Sequence, residues 1–337
     1  MFAYIVRRTF AGLVLLLVMS FVTIVLFFSG PGDPGRQSCG KICSPALIEQ
    51  TNKALGYDQP IIVQWKDFVV GIVKGRTYPE DEALAKEHPE LVVECPAPCL
   101  GYSKYFNDTV TNLIKKSLPI SASLALVAFI LWITGGILFG VLAALKKGTI
   151  IDRGVVGISL IFYAFPTFFV GLFLYKFVAI KWQLVPTPEY IPFTQNPWDW
   201  LTGLILPAIT LALFFMAGYV RMTRAFVLES SSEDYIRTAT AKGLPQRKVV
   251  AKHTMRAALT PLVTMAGLDL AGLLGGAIIT ETVFNFAGLG YLAVSASVNK
   301  DLPLLVGLVV VLATFVIVAN IIVDVLYAFI DPRVRVG

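Results

Sequence analysis

Six stretches of this chain are apolar without alternation for about the length of a membrane-spanning helix, and polar runs of very unequal length separate them. Crossing roughly 30 Å of hydrocarbon takes about 20 predominantly apolar residues. Phe10–Phe28, Leu118–Leu145, Gly154–Tyr175 and Leu201–Val220 meet that length without a charge. Leu262–Thr280 and Pro303–Ile330 meet it with one acid each, Asp269 and Asp324. Continuous apolar runs, rather than alternating segments of about ten residues, predict helices and not a barrel. The expected fold is therefore all-α and polytopic, with six transmembrane helices. Residues 1–29 carry the first span, 30–117 a long connection, and 118–337 a core with the other five.

Composition agrees with that pattern. The 337 residues are 56% hydrophobic and only 15% charged, with a mean hydropathy of +0.73, outside the range of soluble domains. Arg7 and Arg8 precede the first apolar run as in a signal peptide, but the run is too long and Phe27-Phe28-Ser29-Gly30-Pro31 lacks a small-x-small cleavage site. A retained helix is expected. An even number of spans puts both termini on one side. With the N-terminus inside, the cytoplasmic segments hold Arg7, Arg8, Lys146, Lys147, Arg153, eight Lys or Arg from Arg221 to Arg256, and Arg333 and Arg335. The short outer loops then hold only Lys176, Lys181 and Lys300. Segment 30–117 is too long to count, although Lys115 and Lys116 oppose this orientation. Both termini are expected in the cytoplasm of a multi-pass cell-membrane protein. The net charge of +6 is mostly this bias, so nucleic acid need not be invoked.

All four cysteines, Cys39, Cys43, Cys95 and Cys99, fall in the connection expected outside the cell membrane, where disulfides are permitted. Four cysteines allow three connectivities, and spacing alone leaves them open. A four-cysteine zinc site is the rival reading; disulfides and no metal are expected. His88, in the acidic run Tyr78–Pro98, reads as a solvated side chain.

Between the fourth and fifth apolar runs lies a polar stretch, 229–260. Its Ser230 with Glu233, or Ser231 with Asp234, has the spacing of a capping box. A short helix should follow, end at a left-handed Gly243, and give way at Pro245 to a second helix reaching about Leu259. Ala239 and Ala241 keep side chains short beside Tyr235, Ile236 and Arg237, which would admit a close partner surface. Lys248, Lys252 and Arg256 recur along one helical face. A basic amphipathic segment lying on anionic lipid would show the same pattern.

The run Asp234-Tyr235-Ile236-Arg237-Thr238-Ala239, then Ala241-Lys242-Gly243-Leu244 and Leu259-Thr260-Pro261, resembles the "EAA" loop of ABC importer permeases. Further matches point to the dipeptide/oligopeptide permeases. They are Tyr4-Ile5-Val6-Arg7-Arg8, Gly32-Asp33-Pro34, Leu55-Gly56-Tyr57-Asp58-Gln59-Pro60, Glu281-Thr282-Val283-Phe284, Gly288-Leu289-Gly290 and Asp331-Pro332-Arg333-Val334-Arg335. The resemblance implies a non-catalytic permease subunit that forms a translocation path for di- or oligopeptides with a second homologous permease. It also implies two ATPase subunits, which bind ATP and Mg, and an extracytoplasmic substrate-binding protein. Coupling to the ATPase would fall to Asp234, Tyr235, Arg237, Thr238, Ala239, Ala241, Lys242, Gly243 and Leu244. Nickel and glutathione permeases share the pattern. Two features depart from it: Pro245 stands where relatives show serine, and segments 36–48 and 76–99 look like insertions, each with a cysteine pair. No Gly-x4-Gly-Lys-Ser/Thr run is present, so this chain is expected to bind no cofactor itself.

An ionisable residue within a span is a functional candidate. Asp269, with Gly267, Gly272, Gly275 and Gly276 nearby, is expected to face the path; pairing with a neighbouring helix is the alternative. Asp324 is expected to be structural. Two membrane aspartates also raise an intramembrane aspartyl protease, but the Gly-x-Gly-Asp context is absent around Asp269. A secondary transporter or channel would not need the 229–260 segment, and no inverted repeat is evident.

Overall fold

In the computed structural model, which describes residues 2–28, 30, 33–38, 43–274 and 277–330, helices carry most of the chain. They are α1 (Phe2–Phe28), α2 (Pro34–Ser38), α3 (Pro45–Leu55), α4 (Ile61–Lys74), α5 (Glu82–Glu87), α6 (Val110–Leu145), α7 (Ile150–Ala164) and α8 (Thr167–Leu174). There follow α9 (Pro197–Ser231), α10 (Asp234–Ala241), α11 (Gln246–Lys248), α12 (Met255–Leu274), α13 (Ile278–Phe284), α14 (Leu289–Val298) and α15 (Leu302–Ile330). Strands β1 (Arg76–Tyr78) and β2 (Val93–Cys95) pair antiparallel with Thr77 opposite Glu94; β3 (Tyr102–Ser103) and β4 (Asp108–Thr109) form a second hairpin. The chain divides into two units, residues 1–120 with 287–318, and residues 121–286 with 319–337.

The long connection expected over 30–117 holds folded elements in the first unit. Its helices begin and end by local chemistry: Ser44 Oγ accepts the Leu47 amide at 3.3 Å, Pro45 starts α3, and Gly56 at φ +70° ends it. Asp81 caps α5 through the amides of Ala83 and Leu84. The main apolar core of this unit, Ile24, Phe68, Val110, Ile114, Leu292 and Leu304 among others, joins α1, α4, α6, α14 and α15, while Leu55 of α3 packs with Tyr78, Cys95 and Cys99 in a smaller cluster. Trp65 Nε1 donates to Ser20 Oγ at 3.0 Å, which ties α4 to α1. Asp301 accepts from Ser103 Oγ and from the Leu304 amide at the start of α15, and burial raises its carboxyl above the ordinary range. Cys95 and Cys99, both buried, close a local disulfide. No described cysteine is free; Cys39 lies outside the described residues.

In the second unit α9 is the organising element, packed by α7, α8, α12 and α13. Glycines let α6 approach it closely. A Cβ on Gly136 would lie 2.6 Å from Tyr219 Cβ, and one on Gly140 would lie 2.5 Å from Thr223 Cβ and 2.8 Å from the Val220 carbonyl. Trp132 stacks on Phe215 beside this crossing, with centroids 4.8 Å apart. Ser121 Oγ donates to Glu281 Oε1 at 2.7 Å inside the same unit, where Glu281 is fully buried.

Four helical stretches are long and apolar enough to cross a membrane: Val6–Phe28, Val110–Leu145, Pro197–Ser231 and Leu302–Ile322. Two broken pairs, Ile150–Ala164 with Thr167–Lys181 and Ile278–Phe284 with Leu289–Val298, qualify only if each counts as one span, so the described residues hold four to six. The third expected span is thus bent, by 99°. Pro166 accounts for the break, because the residue before a proline is driven out of the helical region, and Phe165 sits at ψ 134°. The fifth expected run, Leu262–Thr280, is divided between α12 and α13, and neither helix alone meets the length and apolarity of a span.

Candidate functional site

The 229–260 segment folds as a hairpin of helices held by a small core of its own. Ile236 and Ala239 on α10 are buried against Val249, with Leu244 packed beside them. The turn closes with paired backbone bonds: Gly243 donates to the Thr240 carbonyl at 2.9 Å, and Leu244 reaches back to the Ala239 carbonyl at 3.4 Å. This is a Schellman arrangement, which requires a left-handed residue after the helix cap. Gly243 supplies it at φ +78°, in open space with no neighbouring atom within 4 Å of where a Cβ would stand.

Three expectations change here. No capping box forms, because α9 runs on through Ser230 and Ser231; Ser231 Oγ bonds the Val227 carbonyl at 2.6 Å, and beyond it Ser232 Oγ bonds the Glu229 carbonyl at 2.7 Å. The serines complete the end of α9, and Glu233 begins α10 without a side-chain cap. Ser and Thr readily bond back in this way, which competes with capping. Ala239 is small so that the returning chain can approach it, since it faces the hairpin's own core. The second helix does not stop near Leu259. After Pro245, α11 continues through a π-helical segment, Val249–Thr254, into α12, with Pro261 inside.

Asp234, Tyr235, Arg237, Thr238, Ala241, Lys242 and Gly243 face outward, together with Lys248, Lys252 and Arg256. The hairpin therefore presents a polar, largely cationic face on a fixed backbone. Arg237 lies 3.7 Å from Asp234, but both are so exposed that solvent screens the pair.

Its base is tied to the helices in three places. Ala144, Val227 and Ala258 bury together, joining α6, α9 and α12. On α9, Arg224 grips Asp152 at the start of α7 with two bonds, Nε to Oδ1 at 2.7 Å and Nη2 to Oδ2 at 2.8 Å. Asp152 Oδ2 also accepts the Gly148 amide at 2.9 Å, so the α6–α7 turn is held as well. Sequence reasoning missed this pair; the only local signal was an acid in the first turn of an apolar helix. Farther along, Tyr219 Oη donates to Asp269 Oδ2 at 2.6 Å, linking α9 to α12. That is the neighbouring-helix pairing weighed for Asp269. The side chain of Asp324 lies outside the described residues, as do Gly275, Gly276 and 331–337, which hold the last family-like motif. Gly272 has no close neighbour, so the close helix packing described here is at Gly136 and Gly140 instead.

Comparison with known proteins places these features in context. A family model described as "Binding-protein-dependent transport system inner membrane component" matches residues 136–336, and the corresponding N-terminal model matches residues 1–125. The oligopeptide transport system permease protein AppB of Bacillus subtilis is 34% identical over 337 residues, covering 99% of this chain and 100% of the relative. The dipeptide transport system permease protein DppB of Escherichia coli is 33% identical over 365 aligned residues, covering 99% of each. Among solved structures, the MetNI methionine ABC transporter in inward facing conformations shares the fold, with a TM-score of 0.52 at 18% identity over 66% of this chain and 97% of that one.

Proposed function

Because the chain belongs to the family of binding-protein-dependent transport system inner membrane components, we propose that it serves as one of two permease subunits through which an ATP-driven importer carries di- and oligopeptides. As a permease subunit it is a non-catalytic, multi-pass protein of the cell membrane, and ATP hydrolysis belongs to separate subunits. Its proposed partners are a second homologous permease, two ATPases and an extracytoplasmic substrate-binding protein. Both termini lie in the cytoplasm in this reading, as the distribution of Lys and Arg favours.

The observation that carries the reading is the closed hairpin at 233–259. Its outward residues Asp234, Tyr235, Arg237, Thr238, Ala241, Lys242 and Gly243 form the surface that docks on the ATPase, and Ala239 and Leu244 hold that surface in shape. Closure of the ATPases shifts the hairpin, and the Asp152–Arg224 grip makes the α6–α7 turn follow α9. A bidentate Arg–carboxylate pair, here with the carboxylate buried and the guanidinium partly exposed, suits this role because it fixes angle as well as distance. Asp269 lends Oδ2 to Tyr219 and keeps Oδ1 for the path, where a peptide's amino terminus would be its complement.

The deciding experiment reconstitutes the complex in liposomes with its binding protein and compares uptake of di-, tri- and pentapeptides with uptake of nickel and glutathione. ATP-dependent accumulation of peptides is the expected result. Accumulation of nickel or glutathione with no peptide uptake would replace peptide as the cargo.

A further inference from the structure

The two segments that depart from the family pattern have no part in the hairpin or the helices around it, yet they meet in the first unit. Leu47 from one, and Tyr78, Leu84, Leu91 and Val93 from the other, wall an apolar cavity of about 290 Å³. A dry cavity of about 150 Å³ already holds a benzene molecule, so this one has room for a large aliphatic or aromatic side chain. Its walls are braced by the β1–β2 hairpin, by the disulfide that ties Cys95, the last residue of β2, to Cys99, and by Tyr78 packed on Tyr102 with centroids 5.6 Å apart.

Lys104 stands at the edge of this cavity and also lines a second, polar one of about 470 Å³, shared with Lys300, Asn299 and Asp301. Its ammonium donates to Thr51 Oγ1 at 2.9 Å, and no carboxylate among the described residues pairs with it. Partial burial lowers its proton affinity with no neighbouring anion to offset the effect, while the residue stays exposed enough for a ligand to reach it. Asp301 does not fill that role, because Ser103 and the first turn of α15 already occupy its carboxylate. An unpaired amine between an apolar cavity and a polar one matches a ligand that carries a carboxylate directly beside an apolar group.

We propose that Lys104 receives the C-terminal carboxylate of a short peptide, whose last, apolar side chain enters the 290 Å³ cavity while the rest of the peptide follows the polar one. The inference rests on the peptide reading above and adds to it a holding site on this subunit, separate from the transport path, that selects an apolar C-terminal residue. A free fatty acid offers the same chemistry, an acid on an apolar chain, and is the other source to be separated.

The test titrates the full chain in lipid nanodiscs, without binding protein, with Ala-Ala-Phe, its C-terminal amide, Ala-Ala-Ala and laurate, read by calorimetry. Ala-Ala-Phe should bind, and amidation, the Ala-Ala-Ala exchange and Lys104→Gln should each weaken it about tenfold or more. Lys104→Arg should keep most of the affinity, which separates loss of charge from loss of fold. Leu84→Trp, which fills the cavity from α5 and leaves Lys104 in place, should weaken Ala-Ala-Phe but not Ala-Ala-Ala. Equal binding of acid and amide, no binding of Ala-Ala-Phe, or binding of laurate alone would each overturn the proposal. Liposome uptake distinguishes the two levels: peptide import without Lys104-dependent binding refutes the holding site and leaves the transport function standing.

Discussion

Replacing Gly243 by Val isolates the turn of the hairpin. The structure makes the magnitude tractable, because no atom lies within 4 Å of the Cβ position and the residue sits at φ +78°. The substitution therefore causes no clash, and its cost is the backbone term alone. A non-glycine residue pays about 1–2 kcal/mol to enter the left-handed region, and a β-branched one falls at the upper end. At about 1.4 kcal/mol per tenfold change in an equilibrium, roughly 2 kcal/mol shifts the closed turn against opened forms by about 30-fold. Opening removes the Gly243–Thr240 and Leu244–Ala239 bonds and frees Leu244 from its place beside Ile236. ATP-driven uptake by the reconstituted complex should drop by tenfold or more, and capture of the ATPase subunits should weaken in parallel. Insertion and melting temperature should hold, since the turn is exposed and lies outside the helix core. Gly243→Asn, which enters the left-handed region more readily, should retain most activity. If the Val variant transported like the parent protein, the turn would not be the joint.

Gly140→Ala should destabilise the complex by about 1–3 kcal/mol, the usual cost of overpacking, because the added methyl meets Thr223 and the Val220 carbonyl. Gly218→Ala, with open space around it, should leave the melting temperature unchanged or raise it. Asp269→Asn should reduce uptake per folded complex with little loss of melting temperature, whereas Tyr219→Phe should do the reverse; lowered stability with normal uptake for the Asn variant would make Asp269 a packing residue. Mass mapping of unreduced protein taken directly from the membrane should find Cys95 joined to Cys99 and neither open to alkylation, while free thiols at both would contradict the local pairing.

Much of this was readable from residue order because the signals are local. Apolar runs of membrane length, a glycine three residues past Thr240, and short helices around it each depend on neighbours in sequence. The serines misled for the same reason: Ser231 has capping spacing, but its hydroxyl finds a carbonyl four residues back, and only the length of α9 decides between the two bonds. The second helix is expected to reach about Leu259, yet it runs on into α12 with Pro261 inside, as membrane helices tolerate. The Asp152–Arg224 pair spans 72 residues, beyond the reach of any periodic pattern. The folded part of segment 30–117 escaped because its helices are short and amphipathic, and a window tuned to membrane spans passes over them.

The hairpin is attached at both ends, to α9 through Ser232–Glu233 and to α12 through the π-helical segment, and those two helices are joined again at Tyr219–Asp269. From that bond to the hairpin, α9 runs 12 residues to Ser231 and α12 runs 14 back to Met255, which at 1.5 Å per residue makes arms of about 18 and 21 Å. The legs meet a second time nearer the hairpin, where Val227 and Ala258 bury together with Ala144 of α6. A load on α10 is thus shared by two legs of nearly equal length, braced at two levels. Such a frame cannot shear one leg past the other, so a stroke delivered to the hairpin would arrive among the spans as a movement of both legs together.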